Sequence, residues 1–199
     1  MSTPEKAENS SVTPVPQDAD DAVGVGEKRW YVAIVNHNAE QASAEKLTQL
    51  GIENYVATQK TVRMWRNGKR KTVYRVVIGS MVFVRCTEQE RRNIVALPFI
   101  FRFLVDRATA HDFGRPVAVI PDEQIRRLRF ILEHADTPVE VSAANYDKGD
   151  KVRVIRGALC GAEGQVVTTP NGKGELSIFL GILGCARCEI NIADIEPLK

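Results

Sequence analysis

Cysteine pairs are the first residues to consider for chemistry in this chain, because thiolates bind metals and act as nucleophiles. Cys185 and Cys188 form a single C-x-x-C pair, a spacing found in zinc sites and in thiol redox motifs. A four-thiolate zinc site needs a second pair, but Cys86 and Cys160 lie far apart in the sequence. A redox pair favours the start of a helix, whereas this pair leads into a predicted strand. We therefore expect small apolar residues in a hairpin and keep a thiol or zinc enzyme as an alternative.

Other catalytic signatures are absent from the sequence. No Walker-type phosphate loop, nucleophile elbow or His-Glu-x-x-His helix occurs. The three histidines, His37, His111 and His134, have no spacing that implies a shared metal. We expect a protein without catalytic residues, metal or cofactor.

The distribution of charge points instead to a polyanionic partner. The net charge of +2 hides a segment 1–27 at −5, a segment 28–146 at +7 and a neutral segment 147–199. A basic excess confined to one stretch favours nucleic acid, although it also promotes solubility.

The densest basic segment is a predicted hairpin. Residues 60–75 contain seven bases and no acid, and Asn67-Gly68 lies between two β-prone arms. This dipeptide favours a type I′ turn, which needs positive φ twice. The candidate nucleic-acid contacts in the hairpin are Arg63, Arg66, Lys69, Arg70 and Lys71.

The elements that must position this hairpin form an α+β domain over residues 28–134. Residues 29–35 are typical of a buried strand, and a helix is predicted over 39–50. Thr87 and Glu90 have the spacing of a capping box at the start of a second helix. A third helix follows Pro121, with an apolar stripe at Ile125, Leu128, Ile131 and Leu132.

The flanking segments differ from this domain. Residues 1–27 lack apolar periodicity and predict a disordered acidic tail. Residues 135–146 predict a linker, and residues 147–199 alternate short strands with glycine-rich turns, which indicates a small β-barrel. Sparse cysteines, no secretory signal and no long apolar run predict a cytoplasmic protein without membrane contact.

Residues 148–167 resemble a KOW motif. Alternating valines on two strands enclose a connection rich in glycine: Val152, Val154 and Val166, with Gly157, Gly161 and Gly164. With its flanking strands, the segment is similar to an SH3-like KOW barrel.

Five further segments of the chain occur in a characteristic order: Arg29-Trp30-Tyr31-Val32, residues 79–85, residues 97–104, Arg115-Pro116 and residues 120–123. Together they resemble the landmarks of the NusG-type transcription factors. The resemblance spans residues 28–199 and implies an α+β fold. An NGN domain, with an antiparallel sheet packed with helices, would be linked to a C-terminal all-β SH3-like KOW barrel. Asn36-His37-Asn38 and the basic hairpin resemble the specialised branch of UpxY-like regulators of capsular polysaccharide operons, relatives of RfaH.

The resemblance implies a processive transcription elongation and antitermination factor. Its NGN domain would dock on the clamp helices of RNA polymerase through an apolar patch, for which the matching positions are Ile34, Ile78, Met81 and Phe83. Ordinary sheet core is the alternative for these residues, and Phe83 fits it best.

The resemblance also implies nucleic-acid contacts. Specialised members recognise a DNA element on the non-template strand, and the matching positions here are Asn36, His37, Asn38 and Lys46. The basic hairpin is expected to contact upstream DNA or nascent RNA.

In the family the KOW barrel recruits a ribosomal small-subunit protein or the termination factor Rho. The position that usually carries a large apolar side chain is Ala162 here, with Leu159 and Ile182 as further apolar candidates. We expect a monomer. The alternative, a KOW-type RNA-binding or ribosome-associated protein, is disfavoured by the barrel's zero net charge.

Overall fold

The structure is a computed structural model that describes residues 26–66, 68–106, 116–142, 149–168 and 174–198. The predicted tail therefore lies almost wholly outside the described residues. No helix in the described ranges has the length and apolar character needed to cross a membrane. The elements are β1 (Arg29–Ile34), α1 (Glu40–Gln49), β2 (Glu53–Tyr55), β3 (Thr58–Met64), β4 (Arg70–Val76), β5 (Met81–Cys86), α2 (Glu88–Ile94), β6 (Arg102–Phe103), β7 (Val119–Ile120), α3 (Asp122–His134), β8 (Glu140–Ser142), β9 (Asp150–Val154), β10 (Glu163–Thr168), β11 (Gly174–Phe179), β12 (Cys185–Ile190) and β13 (Ile195–Pro197).

The N-terminal sheet is antiparallel and centred on β1. Strand β5 pairs with one edge of β1, while β6 and β7 pair with the other, and β2 extends the sheet beyond β5. The register places Val32 opposite Phe83 and Ile34 opposite Met81. Because side chains alternate along a strand, the two faces of β1 enter two different cores.

Helices cover both faces of this sheet. On one face, Leu47 of α1 and Ile94 of α2 pack in the same cluster as Tyr31. On the other face, buried residues of α3 pack in the cluster that contains Phe83, and this cluster continues into the C-terminal strands at Leu176. The arrangement confirms the predicted combination of an antiparallel sheet with packed helices.

Local signals in the sequence produce two of the helices as expected. The Thr87 hydroxyl accepts a hydrogen bond from the Glu90 backbone N–H at 3.2 Å, and the Glu90 carboxylate accepts one from the Thr87 N–H at 2.8 Å. This confirms the capping box at the start of α2. The predicted stripe of α3 is also confirmed, since all four members are buried: Ile125, Leu128, Ile131 and Leu132.

Strands β3 and β4 form the predicted hairpin as a separate two-stranded sheet. Its turn differs from the two-residue type expected. Trp65 N–H donates to the Lys69 carbonyl at 3.0 Å and Gly68 N–H to the Trp65 carbonyl at 2.9 Å, which leaves three residues between the last partners. Gly68 has φ of +75°, as the third position of such a loop requires. Asn67 lies outside the described residues.

The C-terminal part is a six-stranded antiparallel sheet in the order β13-β9-β10-β11-β12-β8. Strand β8 comes from the predicted linker, 135–146, and pairs with β12 from Cys185 to Arg187. The predicted linker therefore contains a strand of three residues. The backbone N–H and C=O groups of β8 find hydrogen-bond partners in β12, a strand distant in sequence. Local sequence patterns do not record this pairing.

Candidate functional site

The basic hairpin is anchored to the rest of the molecule at its base. The buried side-chain amide of Gln59 donates to the Thr137 carbonyl at 2.8 Å and accepts from the Val139 N–H at 2.9 Å. Arg75, paired with Gln59 across the strands, donates to the Val139 carbonyl at 2.8 Å. These bonds connect positions more than sixty residues apart, and they commit Arg75 to holding the hairpin.

The outer half of the hairpin is exposed on both faces. All five cations predicted to contact nucleic acid are exposed: Arg63, Arg66, Lys69, Arg70 and Lys71. Since the segment carries no acid, its charge is positive along its length. The structure therefore brings these five residues onto one projecting ribbon that presents cations to solvent.

The hairpin also carries exposed aromatic and apolar side chains that the sequence reasoning missed. Trp65 is 55% exposed and Tyr74 64% exposed, and Val62 and Met64 are exposed as well. In a sequence, aromatic and β-branched residues in a strand indicate burial. The signal that could have found them is the charge around them, because a strand with this many cations has no core to face.

The predicted apolar patch is brought together in part. Ile34 and Met81 are direct partners across β1 and β5, and both are half-buried at the margin of the core cluster that also receives Ile78. Phe83 is fully buried in that core, with its ring centroid 5.8 Å from that of Tyr55. Its inclusion in a contact surface is wrong, because its position opposite Val32 puts it beneath α3.

The loop after β1 carries Asn36, His37 and Asn38, which are all exposed. The loop is fixed from below by the buried Glu40, whose carboxylate accepts a hydrogen bond from the Ser80 N–H at 2.5 Å. Burial raises the pKa of Glu40, but hydrogen bonds from backbone N–H groups, that of Ser80 first, outweigh it and the pKa is lowered. Glu40 therefore stays charged at neutral pH.

Lys46 lies on α1 rather than in this loop. It is exposed, and its ammonium lies 5.1 Å from the centroid of the Phe99 ring. This distance permits a cation–π contact. Lys46 therefore has an intramolecular partner and presents its charge beside Phe99.

Two of the three residues predicted to bind a partner in the C-terminal part are accessible, and one is buried. Leu159 is buried in the core, so its assignment to a partner contact is wrong. Ala162 is half-buried and lines a groove of about 500 Å³ against Phe130 of α3. Ile182 is 44% exposed.

The cysteine pair has no arrangement for chemistry in the described residues. Cys185 and Cys188 are both buried within β12, three residues apart, so their side chains leave opposite faces of the strand. Burial raises the pKa of Cys188 to about 11. Among the described residues no cluster of histidine, cysteine or carboxylate side chains could hold a metal ion.

Comparison with known proteins gives the family. A family model described as "Transcription termination factor nusG" matches residues 28–129, about half of the chain. A solved structure described as "Domain interaction in Thermotoga maritima NusG" is 14% identical, with a TM-score of 0.46, and the match covers 87% of this chain and 98% of that one. A chain of the MjSpt4:Spt5 complex in conformation B is 15% identical, with a TM-score of 0.27 and coverages of 85% and 96%. No curated protein matches the chain.

The two structural likenesses are too distant to assign the family, which depends on the family model alone. The segment that this model matches runs from before β1 into α3. It therefore contains every strand of the N-terminal sheet, the basic hairpin and the candidate loop after β1. On that match, the chain belongs to the NusG family of transcription factors.

Proposed function

We propose that this protein is a non-enzymatic elongation and antitermination factor that binds the clamp of RNA polymerase and contacts nucleic acid beside it. The observation that carries the proposal is the basic hairpin, which is anchored at Gln59 and exposes its five predicted contact cations. A cationic ribbon anchored at its base suits the binding of a nucleic-acid strand beside a docking surface.

The docking surface in this proposal is the patch formed by Ile34, Ile78 and Met81. All three are half-buried, so each keeps apolar area available to a partner. Met81 supplies a flexible, polarisable side chain that adapts to a partner surface. The patch adjoins the turn held by Glu40, which gives it a fixed position relative to the exposed loop.

The exposed loop supports the more specific part of the proposal. Asn36, His37 and Asn38 present amide and imidazole groups that can hydrogen-bond base edges. We assign to them the recognition of a DNA element on the non-template strand, as in the UpxY-like branch that serves capsular polysaccharide operons. The C-terminal sheet, as a KOW barrel, would recruit a ribosomal small-subunit protein or Rho through Ala162 and Ile182.

The decisive experiment measures binding of the full chain to purified RNA polymerase. The double variant Ile78→Asp/Met81→Asp should weaken binding by about tenfold or more, because it places charge in an apolar contact. The matched control is Leu50→Asp, which changes an exposed apolar residue at the end of α1 on the opposite side of the sheet. Thermal unfolding of each variant checks that it is folded.

A second substitution guards against misfolding of the double variant. Met81→Ala removes apolar area without adding charge and should weaken binding by a smaller factor. Wild-type affinity in both the double variant and Met81→Ala would contradict the patch assignment.

A further inference from the structure

We propose that the outer half of one hairpin face binds an unpaired strand of DNA, with Trp65 stacking on a base and the neighbouring cations on phosphates. The inference rests on the proposed function and deepens it by naming the ligand class and the stacking residue. It follows from the pairing register of the hairpin, which sorts its side chains into two faces of different character.

Directly paired residues of an antiparallel ribbon project from the same face, and the face alternates along each strand. The Trp65 N–H to Lys69 carbonyl bond continues the ladder beyond the last pair of β3 and β4. One face therefore consists of the pairs Gln59–Arg75, Thr61–Val73, Arg63–Lys71 and Trp65–Lys69.

This face changes character from its base to its tip. Gln59 is buried against the body of the protein, Thr61 and Val73 are half-buried, and Arg63 and Trp65 are exposed. Side chains two residues apart on a strand lie roughly 7 Å from each other, close to the spacing of successive phosphates in an extended strand. The outer face thus combines one exposed indole with cations on both strands, and it carries no acid.

The opposite face differs in its outer half. It consists of the pairs Thr58–Val76, Lys60–Tyr74, Val62–Thr72 and Met64–Arg70. Two cations there flank a stripe of exposed apolar side chains, and Tyr74 is its only ring. The face that carries Trp65, here called the Trp65 face, matches phosphates better, so we assign the DNA strand to it. Tyr74 on the opposite face is the matched control.

The donor and acceptor inventory of the Trp65 face favours DNA over RNA. Indole, guanidinium and ammonium groups donate hydrogen bonds and accept none. They satisfy phosphate oxygens, while the outer pairs Arg63–Lys71 and Trp65–Lys69 offer no side-chain acceptor for the proton of a ribose 2′-hydroxyl, the group by which proteins distinguish RNA. Base stacking itself tolerates any sequence.

Intrinsic fluorescence tests the stacking directly. The chain has two tryptophans. Trp30 is buried and its indole N–H donates to Asp122 at 2.9 Å, whereas Trp65 is exposed. Titration of the full chain with single-stranded oligodeoxythymidylate should quench the wild-type emission. The quenching should disappear in Trp65→Phe, in which only the buried Trp30 remains.

Affinities measured on a dye-labelled oligodeoxythymidylate complete the test. Trp65→Ala should lower the affinity by about fivefold or more, as loss of one stacked base does, while Trp65→Phe and Tyr74→Ala stay within about twofold of wild type. The salt dependence should be unchanged in Trp65→Ala, because no phosphate contact is lost. Binding of duplex DNA should be unaffected by Trp65→Ala.

Several outcomes would overturn the inference: no binding of the single strand by wild type, wild-type affinity in Trp65→Ala, or an equal loss in Tyr74→Ala. A preference of about tenfold for oligouridylate would make the face an RNA surface instead. Polymerase binding separates this inference from the proposed function. Trp65→Ala should bind polymerase with wild-type affinity. If the stacking prediction fails, the assignment of the apolar patch is therefore unaffected. If the patch assignment fails, binding of the single strand can still be measured.

Discussion

The carboxylate of Glu40 and the backbone N–H of Ser80 form a hydrogen bond of 2.5 Å between two segments forty residues apart. Ser80 has φ of +60°, a left-handed conformation that a non-glycine residue adopts only at a cost. Its carbonyl accepts from the Val35 N–H at 3.0 Å, so both backbone groups of Ser80 are satisfied. The contact holds the turn between Ile78 and Met81 against the start of α1.

Replacement of Glu40 should therefore destabilise the protein. Glu40→Ala leaves the Ser80 N–H without its charged acceptor, and we expect a loss of about 1–3 kcal/mol in the free energy of unfolding, measured by urea denaturation. The control is Glu45→Ala on the same helix, an exposed residue whose loss should change stability by less than about 0.5 kcal/mol. Equal effects of the two substitutions would show that the Glu40 bond adds nothing.

The same bond predicts a pH dependence. The pKa of Glu40 is lowered from 4.5, since hydrogen bonds from backbone N–H groups outweigh the opposing effect of burial. A carboxyl with a depressed folded pKa stabilises above its unfolded pKa and loses this contribution as the pH falls through the folded value. The stability difference between wild type and Glu40→Gln should thus be constant near neutral pH and shrink below about pH 4.5. A difference that persists unchanged to about pH 2 would rule out this linkage.

Charge on the hairpin should govern the salt dependence of DNA binding. Arg63→Glu/Lys71→Glu reverses two exposed cations that are paired across the strands. Because each lost phosphate contact lowers the slope of log affinity against log salt by about 0.7–0.9, the slope should fall by between about 1 and 2. Lys151→Glu/Arg156→Glu makes the same change in net charge on two exposed residues of the C-terminal part, in β9 and just after it. If both double variants flatten the slope equally, net charge and not the hairpin is responsible.

Thiol labelling separates the transcription factor from the thiol-enzyme alternative. Cys160 is exposed, whereas Cys86, Cys185 and Cys188 are buried. Burial raises the pKa of Cys86 to about 12 and that of Cys188 to about 11, so few thiolates form at these positions at neutral pH. Ellman's reagent should label about one thiol rapidly in the folded chain and the others only on unfolding.

Cys160→Ser is the control for this assignment, because it should abolish rapid labelling. Rapid labelling that survives in Cys160→Ser, or zinc bound in stoichiometric amount to the purified protein, would contradict the inert assignment of Cys185 and Cys188.

Features that depend on neighbouring residues could be predicted from the sequence. The capping box of Thr87 and Glu90, the stripe of α3 and the hairpin ending at Gly68 each depend on residues within a few positions of one another. Hydrogen bonds and periodicity over such distances are encoded in the order of residues. The landmarks of the NusG family were readable for the same reason, and so were the hairpin cations.

Contacts between distant segments determine which of these residues are available to a partner. Phe83 and Leu159 are apolar residues of the kind found in contact surfaces, but packing against distant segments buries both. Trp65 is a residue type common in protein cores, yet it is exposed because it lies in the outer part of the hairpin, away from the core. Gln59 meets Val139 across eighty positions. Burial depends on which distant segments meet, and no local pattern records that.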